Sequence, residues 1–395
     1  MPSDTVMVLG IPVDNLTMDE AIAAVFSMVD AYRFDHRPRL VATANADLIV
    51  NTLTWSLGGI RHPELLDILR RADLVTAAGM PVVLAGRLLG TPLKERVTGA
   101  DMVPALAGEA ARRGTSIYFL GGREDSAERA ARKLQKDCPG LRIAGIDSPH
   151  VYVEGSQLAD SDEIDEPIVV RIDAARPDIL LIAFGNLKQE VWFNRNRQRL
   201  QAAVSIGVGG TFEFITGTVR RAPVWVQRAG LEWAFRIIQD PRRLWKRYLV
   251  GFFKFGLMIW PAVLCDRYRR ARLRLPHSMP AKGTTNEDRE PTAAGRLGER
   301  TAPGFRHVVV LPDRLDLQTL QRVEEQINGV FSFPGNILLN FRDVSFIDSS
   351  GLGFLVRSWR RADKEGKDLS FSGVSPKVRH FFLTHSRRPR WMYVP

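Results

Sequence analysis

The chain has 395 residues, 45% of them hydrophobic and 25% charged, with a net charge of +11; this is long for one domain and too apolar for a disordered chain, so two globular domains are expected. Its only cysteines, Cys138 and Cys265, lie far apart in no metal or redox spacing, which excludes a disulfide scaffold or a zinc ribbon and points to a reducing compartment. Met1–Gly10 has no basic stretch followed by an apolar core, so no secretory signal is expected.

From Thr5 to about Pro223, short apolar runs alternate with amphipathic stretches. In chain order the pattern predicts helix Met18–Tyr32, strand Arg39–Thr43, helices Pro63–Arg71 and Ala100–Arg113, strand Ser116–Leu120 and helix Ser126–Asp137. Strand Ile179–Ala183, helix Gln189–Gln198 and strand Val204–Val208 follow. Such alternation implies an α/β domain with a mainly parallel sheet. Three of these strands run into glycine. After Val204–Val208 come Gly209, Gly210 and the helix-starting Thr211, with Gly207 just before, a form that lets bare backbone N–H groups approach a phosphate. Gly121 and Gly122 follow Leu120 and suit a phosphate or ribose contact, although a plain tight turn explains them equally. In Phe184-Gly185-Asn186-Leu187-Lys188-Gln189-Glu190, Lys188 can neutralise phosphate and Gln189 can bond a sugar or base; a capped helix start is the alternative. Asp160-Ser161-Asp162 has the form of a metal-binding pair but sits in an acidic stretch with no preceding strand, and reads as a solvated loop. Neither GxGxxG nor a Walker loop occurs.

The charge is concentrated. Arg220–Arg274 holds 14 Lys/Arg and 3 Asp/Glu, an excess equal to the +11 of the whole chain. The segment reads as helices broken at Asp240-Pro241 and at Pro261. Trp225, Trp233, Trp245 and Trp260 are interleaved with Arg228, Arg236, Arg242, Arg243, Lys246 and Arg247, and Arg220 and Arg221 precede them. Tyr248–Cys265 is then almost wholly apolar. Aromatic rings and cations at this density suit an anionic lipid headgroup layer. A spanning helix would be just long enough but lacks an orientation signal, and a buried core helix leaves the charges unexplained; an interfacial helix explains both. No nucleic-acid recognition motif accompanies the charge, so nucleic acid is not expected as a partner.

Pro276–Pro303 is rich in Pro, Gly, Thr and mixed charge and reads as a linker. Beyond it a second α/β module is predicted: strand His307–Leu311, helix Leu317–Val330, strand Asn336–Phe341, helix Leu352–Ala362, strand Asp368–Phe371 and helix Pro376–Thr384. The domain limits are thus 1–224, a basic aromatic segment 225–275, a linker 276–304 and a module 305–395.

Thr43-Ala-Asn45, Pro92-Leu-Lys-Glu-Arg96-Val-Thr-Gly99-Ala-Asp101, Phe119-Leu-Gly-Gly122, Pro177-Asp178-Ile-Leu-Leu, Gly185–Glu190, Gly207–Phe212 and Arg220-Arg-Ala-Pro223 stand in order. Together they resemble the WecG/TagA/CpsF family of bacterial glycosyltransferases over about Val6–Leu249. The resemblance implies a Rossmann-like fold, no cofactor or metal requirement, and transfer of N-acetylmannosamine or a related amino sugar from UDP to a polyprenyl-diphosphate-linked N-acetylglucosamine. It implies a hexosyltransferase of cell-envelope polysaccharide synthesis, peripheral on the cytoplasmic face of the membrane, with self-association near the active site. Position by position, Thr43 matches the family's active-site threonine, Arg96 the arginine that steadies the diphosphate, and Gln189 a motif glutamine. An ion pair with Glu95 or Asp101 is the alternative for Arg96. Asn45, Asp101, Gly121, Gly122, Gly185, Lys188, Gly207, Gly209, Gly210 and Thr211 are the expected substrate-binding positions, and the cationic segment from Arg220 resembles the family's membrane appendage.

The sequence departs from that family at Ala78, where the resemblance places the catalytic aspartate base. A methyl group accepts no proton, and general-base help is typically worth ~10²–10⁴-fold. Asp47, Asp73 and Asp101 are the alternative carboxylates, none at the family's spacing. Leu187 also replaces the family's proline. A second reading therefore stands beside the enzyme: a weakly active UDP-sugar-binding scaffold or regulator.

Val344-Ser-Phe-Ile-Asp348-Ser349-Ser350-Gly351-Leu-Gly353, entering a helix after a strand, resembles the STAS domain of anti-anti-sigma factors over about His307–Arg387. That resemblance implies a protein partner or kinase and makes Ser349 the phosphorylation candidate; a helix-capping serine that only docks is the alternative. Asn340 stands where such domains place an aspartate.

Overall fold

The computed structural model describes residues 5–53, 61–152, 161–228, 231–274, 307–315, 319–344, 346–347 and 349–374. The chain divides into two units, one reaching to Ile259 (with Leu352–Val356) and one formed by the remainder from Trp260.

In the first unit, β1 (Thr5–Val8) and β2 (Ile11–Asp14) form an antiparallel hairpin whose two turn residues, Leu9 and Gly10, both have positive φ. Helix α1 (Met18–Asp35) starts with a Thr17/Glu20 capping box, each side chain bonding the other's backbone N–H. The central sheet has six parallel strands, β3 (Arg39–Ala44), β4 (Leu74–Ala77), β5 (Ser116–Gly121), β6 (Arg142–Asp147), β7 (Ile179–Ala183) and β8 (Val204–Gly207), in the order β4-β3-β8-β7-β5-β6. Strands β3, β5, β7 and β8 are buried along their whole length, as apolar runs covered by helices on both faces must be. At the β4 edge, Asp14 Oδ2 accepts from Val75 N at 2.8 Å and occupies the exposed ladder.

The helices are α2 (Ala46–Thr52), α3 (Pro63–Arg71), α4 (Met80–Leu88), α5 (Gly99–Arg113), α6 (Ser126–Asp137), α7 (Ser161–Ala175), α8 (Lys188–Asn196) and α9 (Thr211–Thr216). The core joins Phe26, Met102, Leu106, Phe119, Leu181, Ile206 and Phe212. After β5 the chain turns outward to β6, whereas after β7 it returns inward to β8, so the β5/β7 crevice is the topological switch point at which such sheets bind ligands.

Beyond α10 (Val224–Arg228) come α11 (Glu232–Gln239) and a 34-residue α12 (Pro241–Arg274). The expected break at Asp240-Pro241 is present, with proline at the first helical position where its missing N–H costs nothing. The break expected at Pro261 is not: the helix runs through it. Asp162 is also not in a loop but in the first turn of α7, where a carboxylate favours the helix dipole.

The second unit carries β9 (His307–Val310), β10 (Arg314–Leu315), α13 (Leu320–Phe331), β11 (Ile337–Asn340), β12 (Phe346–Ile347), α14 (Ser349–Lys364) and β13 (Leu369–Ser372). Strands β13, β11 and β9 pair in parallel with β11 central, and β10 pairs β12. The linker expected at 276–304 and the helix expected at 376–384 lie outside the described residues.

Candidate active site

The carboxyl ends of β3, β4, β7 and β8 bring the expected residues to one edge of the sheet. Asn45 follows β3 and caps α2 through Leu48 N at 2.9 Å. Its amide also pairs with that of Asn186 beyond β7: Asn186 Nδ2 donates to Asn45 Oδ1 at 3.1 Å and to Asp47 Oδ2 at 3.0 Å. Ala78 follows β4, its N–H bonded to Ala44 O at 2.8 Å, and a Cβ on Gly79 would sit 3.5 Å from Asn45 Cβ. Ala78, Asn45, Asp47 and Asn186 thus form one rim.

Three side chains that the sequence places in the site, Thr43 and Gln189 as catalytic and Thr211 as substrate-binding, make hydrogen bonds inside the fold. The Thr43 hydroxyl donates to Gly207 O at 2.7 Å and ties β3 to β8. Gln189 is buried, with Nε2 donating to Glu190 Oε1 at 2.8 Å and Oε1 accepting from Gly209 N at 3.0 Å, so it positions the β8 loop. The Thr211 hydroxyl donates to Val208 O at 2.6 Å, closing its own turn. The glycines divide similarly. A Cβ on Gly207 would lie 2.5 Å from Gln189 Nε2, on Gly121 2.8 Å from Phe184, and on Gly122 2.5 Å from Ser126 Oγ. These three are glycines because protein fills the space. Gly185 and Gly209 have positive φ and nothing within 4 Å of a Cβ, so their backbones face open space. Gly210 precedes α9, and Lys188 reaches Val151 O at 3.5 Å. Leu187 has φ 73° and ψ −52°, a γ-turn geometry closed to proline's fixed φ of about −65°.

Glu190 was not singled out for a role by sequence. It is fully buried, Oε2 has no hydrogen-bond partner, and burial pushes its pKa up from 4.5 to about 7, against the bond from Gln189. The unfolded chain releases this proton near 4.5 and the folded one near 7, so Glu190 lowers stability as pH rises through that window. Glu190→Gln should therefore gain up to about 3 kcal/mol relative to the parent between pH 5 and pH 8. Urea titrations at the two pH values check this; parallel pH dependences would rule it out.

Arg96 is in the ion-pair environment that sequence left open, with an added partner. Arg96 Nη1 meets Glu232 Oε2 of α11 at 2.8 Å, and Nη2 lies 3.6 Å from Asp101 Oδ2. Arg221 Nη1 meets Asp101 Oδ1 at 2.6 Å, and its Nε lies 3.8 Å from Glu232 Oε1. Two guanidiniums and two carboxylates form a ring, and Arg221 Nε and Nη2 are buried without hydrogen bonds. Burial alone would raise the Asp101 pKa, but its bonds to Arg221 and Thr98 prevail and hold it below the usual value. Glu95 is not part of the ring; its Oε2 accepts from Met18 N.

The basic aromatic segment separates into two faces. Trp233 packs edge-on against Phe252 at 4.8 Å, and Arg236 stacks over Phe214 at 4.5 Å and donates to Tyr248 Oη at 2.8 Å. The contacts to Phe252 and Tyr248 join α11 to α12, and that to Phe214 packs α11 on the sheet domain. Arg220, Trp225 and Arg242 are exposed. On α12, Trp245, Leu249, Phe253 and Leu257 are exposed at a spacing of four, while Phe255 and Ile259 are buried. The side chains of Arg228, Arg243, Lys246 and Arg247 lie outside the described residues, as does that of Ser349, the first residue of α14. Among the described residues no helix is long and apolar enough to cross a membrane.

The model of the glycosyl transferase WecG/TagA/CpsF family matches residues 6–271. The chain belongs to this family. A STAS domain model matches residues 300–385, on which the parallel sheet of the second unit lies. Three curated relatives carry one name, N-acetylglucosaminyldiphosphoundecaprenol N-acetyl-beta-D-mannosaminyltransferase. That of Bacillus subtilis (strain 168) is 30% identical over 210 residues, 53% of this chain and 75% of the relative. That of Bacillus spizizenii is 27% identical over 230 residues, 58% and 82% respectively. The Staphylococcus aureus (strain MW2) protein is 26% identical over 250 residues, 63% and 91%.

Proposed function

We propose that this protein transfers N-acetylmannosamine, or a closely related amino sugar, from UDP to a polyprenyl-diphosphate-linked N-acetylglucosamine at the cytoplasmic face of the membrane. The Arg96–Arg221 pair carries the reading: two guanidiniums beside the carboxyl edge of a parallel sheet, one with two buried N–H groups unbonded, suit a diphosphate whose charge grows as UDP leaves. The open Gly185 and Gly209 backbones supply close approach, and the curated relatives share the name of this activity. The exposed apolar row of α12 would lie in the lipid interface and bring the edge to a lipid-linked acceptor. The STAS domain would dock a protein partner, with phosphorylation at Ser349 adding about two negative charges to that surface.

Ala78 favours a second reading, a UDP-sugar-binding scaffold acting through the STAS domain, because no proton acceptor stands at that position. UDP release from UDP-N-acetylmannosamine with a lipid-linked N-acetylglucosamine acceptor separates the two. Turnover by the parent chain is expected. UDP binding with no turnover, by the parent or by Ala78→Asp, would establish the scaffold instead.

A further inference from the structure

We propose that Glu190 is a positioning residue for the sugar donor, acting through the Gln189 amide on the Gly209 backbone; the proposal rests on the transferase reading above. Glu190 stands in the first turn of α8 and is fully buried. Asp165, equally buried, is matched by a cation: Arg195 Nε lies 3.0 Å from its Oδ2, to which Asn196 Nδ2 donates at 2.8 Å. The influences on the ionisation of Glu190 are burial first, then Gln189 and the backbone of Glu190 and Leu187, with no cation among them. A buried carboxylate without a cation costs stability, and a glutamine of nearly the same shape would fill the space without that cost. What glutamine cannot supply is a group that only accepts hydrogen bonds.

That difference acts on Gln189. An ionised carboxylate takes the N–H side of the neighbouring amide, and Gln189 Nε2 donates to Glu190 Oε1 at 2.8 Å. The carbonyl side is thereby turned to the β8 loop, where Gln189 Oε1 accepts from Gly209 N at 3.0 Å. Both side chains lie against Gly207, the last residue of β8. A Cβ there would sit 2.5 Å from Gln189 Nε2 and 3.1 Å from Glu190 Oε1. Held in this way, Gly209 has φ 54° and nothing within 4 Å of a Cβ, which leaves its backbone open to close approach by the donor. A protonated Glu190 has both a donor and an acceptor and accommodates either side of the Gln189 amide. The flipped amide would set Nε2 against Gly209 N, donor against donor, and the loop would lose its anchor.

The test uses the full chain and reads UDP affinity by calorimetry at pH 8 and pH 6, with urea unfolding to show that each variant is folded. Glu190→Gln imitates the protonated acid and is expected to bind UDP about tenfold more weakly than the parent at pH 8, the scale of one hydrogen bond lost. With a Glu190 pKa of about 7, the parent's advantage should shrink to about twofold at pH 6, as the ionised fraction falls. The comparison cancels the ionisation of UDP itself. Gln189→Met removes the amide through which the carboxylate acts. It is expected to show the same loss and the same narrowing, so either variant serves as the reference. The proposal is overturned if the parent and the variants bind UDP within twofold of one another at pH 8. It is overturned equally if their ratio is the same at both pH values, since a purely structural loss would not follow the proton. A parent that binds no UDP at either pH would remove the transferase reading itself.

Discussion

Arg96→Met should lower kcat/KM for sugar transfer by about 10²–10³-fold, the usual scale for removing a group that meets charge as it develops. The ring around Arg96 says why its role is more than affinity. The Arg96 and Arg221 charges are balanced by Asp101 and Glu232, so a diphosphate held by this pair would compete with a carboxylate for it. Glu232 is the replaceable one, since it arrives on the short α11, whereas Asp101 is also bonded by Thr98 within the first turn of α5. Glu232→Gln should therefore act in the opposite direction and tighten UDP binding by about 5-fold, a like-charge repulsion of roughly 1 kcal/mol in a partly screened site. Calorimetry on the two variants gives the comparison. Equal weakening by both would mean that the ring only staples the appendage to the sheet domain and that the diphosphate binds elsewhere.

The fold was legible because its period is simple. Fully buried strands such as Ile179–Ala183 read as unbroken apolar runs, and capped or proline-started helices such as Pro63–Arg71 declare their ends. Strand β4 (Leu74–Ala77) is not legible as one because four residues at a sheet edge carry little period; β6, half-buried with a glycine in its middle, carries even less signal. The site was legible as a set of positions but not as a set of roles. Sequence placed Gln189 and Thr43 at the edge, yet whether an amide or hydroxyl faces ligand or its own backbone depends on contacts 20 and 164 residues away. Glu232 was invisible as a partner of Arg96 because 136 residues separate them.

Phe253→Glu together with Leu257→Glu should abolish binding to anionic lipid vesicles, lowering the partition coefficient at least about 10²-fold. Burying each of these side chains is worth ~1.5–3 kcal/mol, and a carboxylate on the same row adds repulsion from anionic headgroups. Both residues are exposed, one turn apart on the row that begins at Trp245, so their replacement leaves the buried Phe255 and Ile259 in place. The cations support the same orientation through an independent argument. Arg242, Arg243, Lys246 and Arg247 occupy the first two turns of α12, which has no acidic residue in its first turn. Positive charge at a helix N-terminus opposes the helix dipole and costs stability, and the exposed Arg242 would recover that cost at an anionic lipid surface. Arg242→Gln should thus weaken vesicle binding by about 1 kcal/mol, an effect that fades as salt rises, while the loss in the double glutamate variant should persist at high salt. Sedimentation with vesicles at two salt concentrations distinguishes them. If the glutamate variant still sedimented fully with the vesicles, the apolar row would have to be covered by protein and not by lipid.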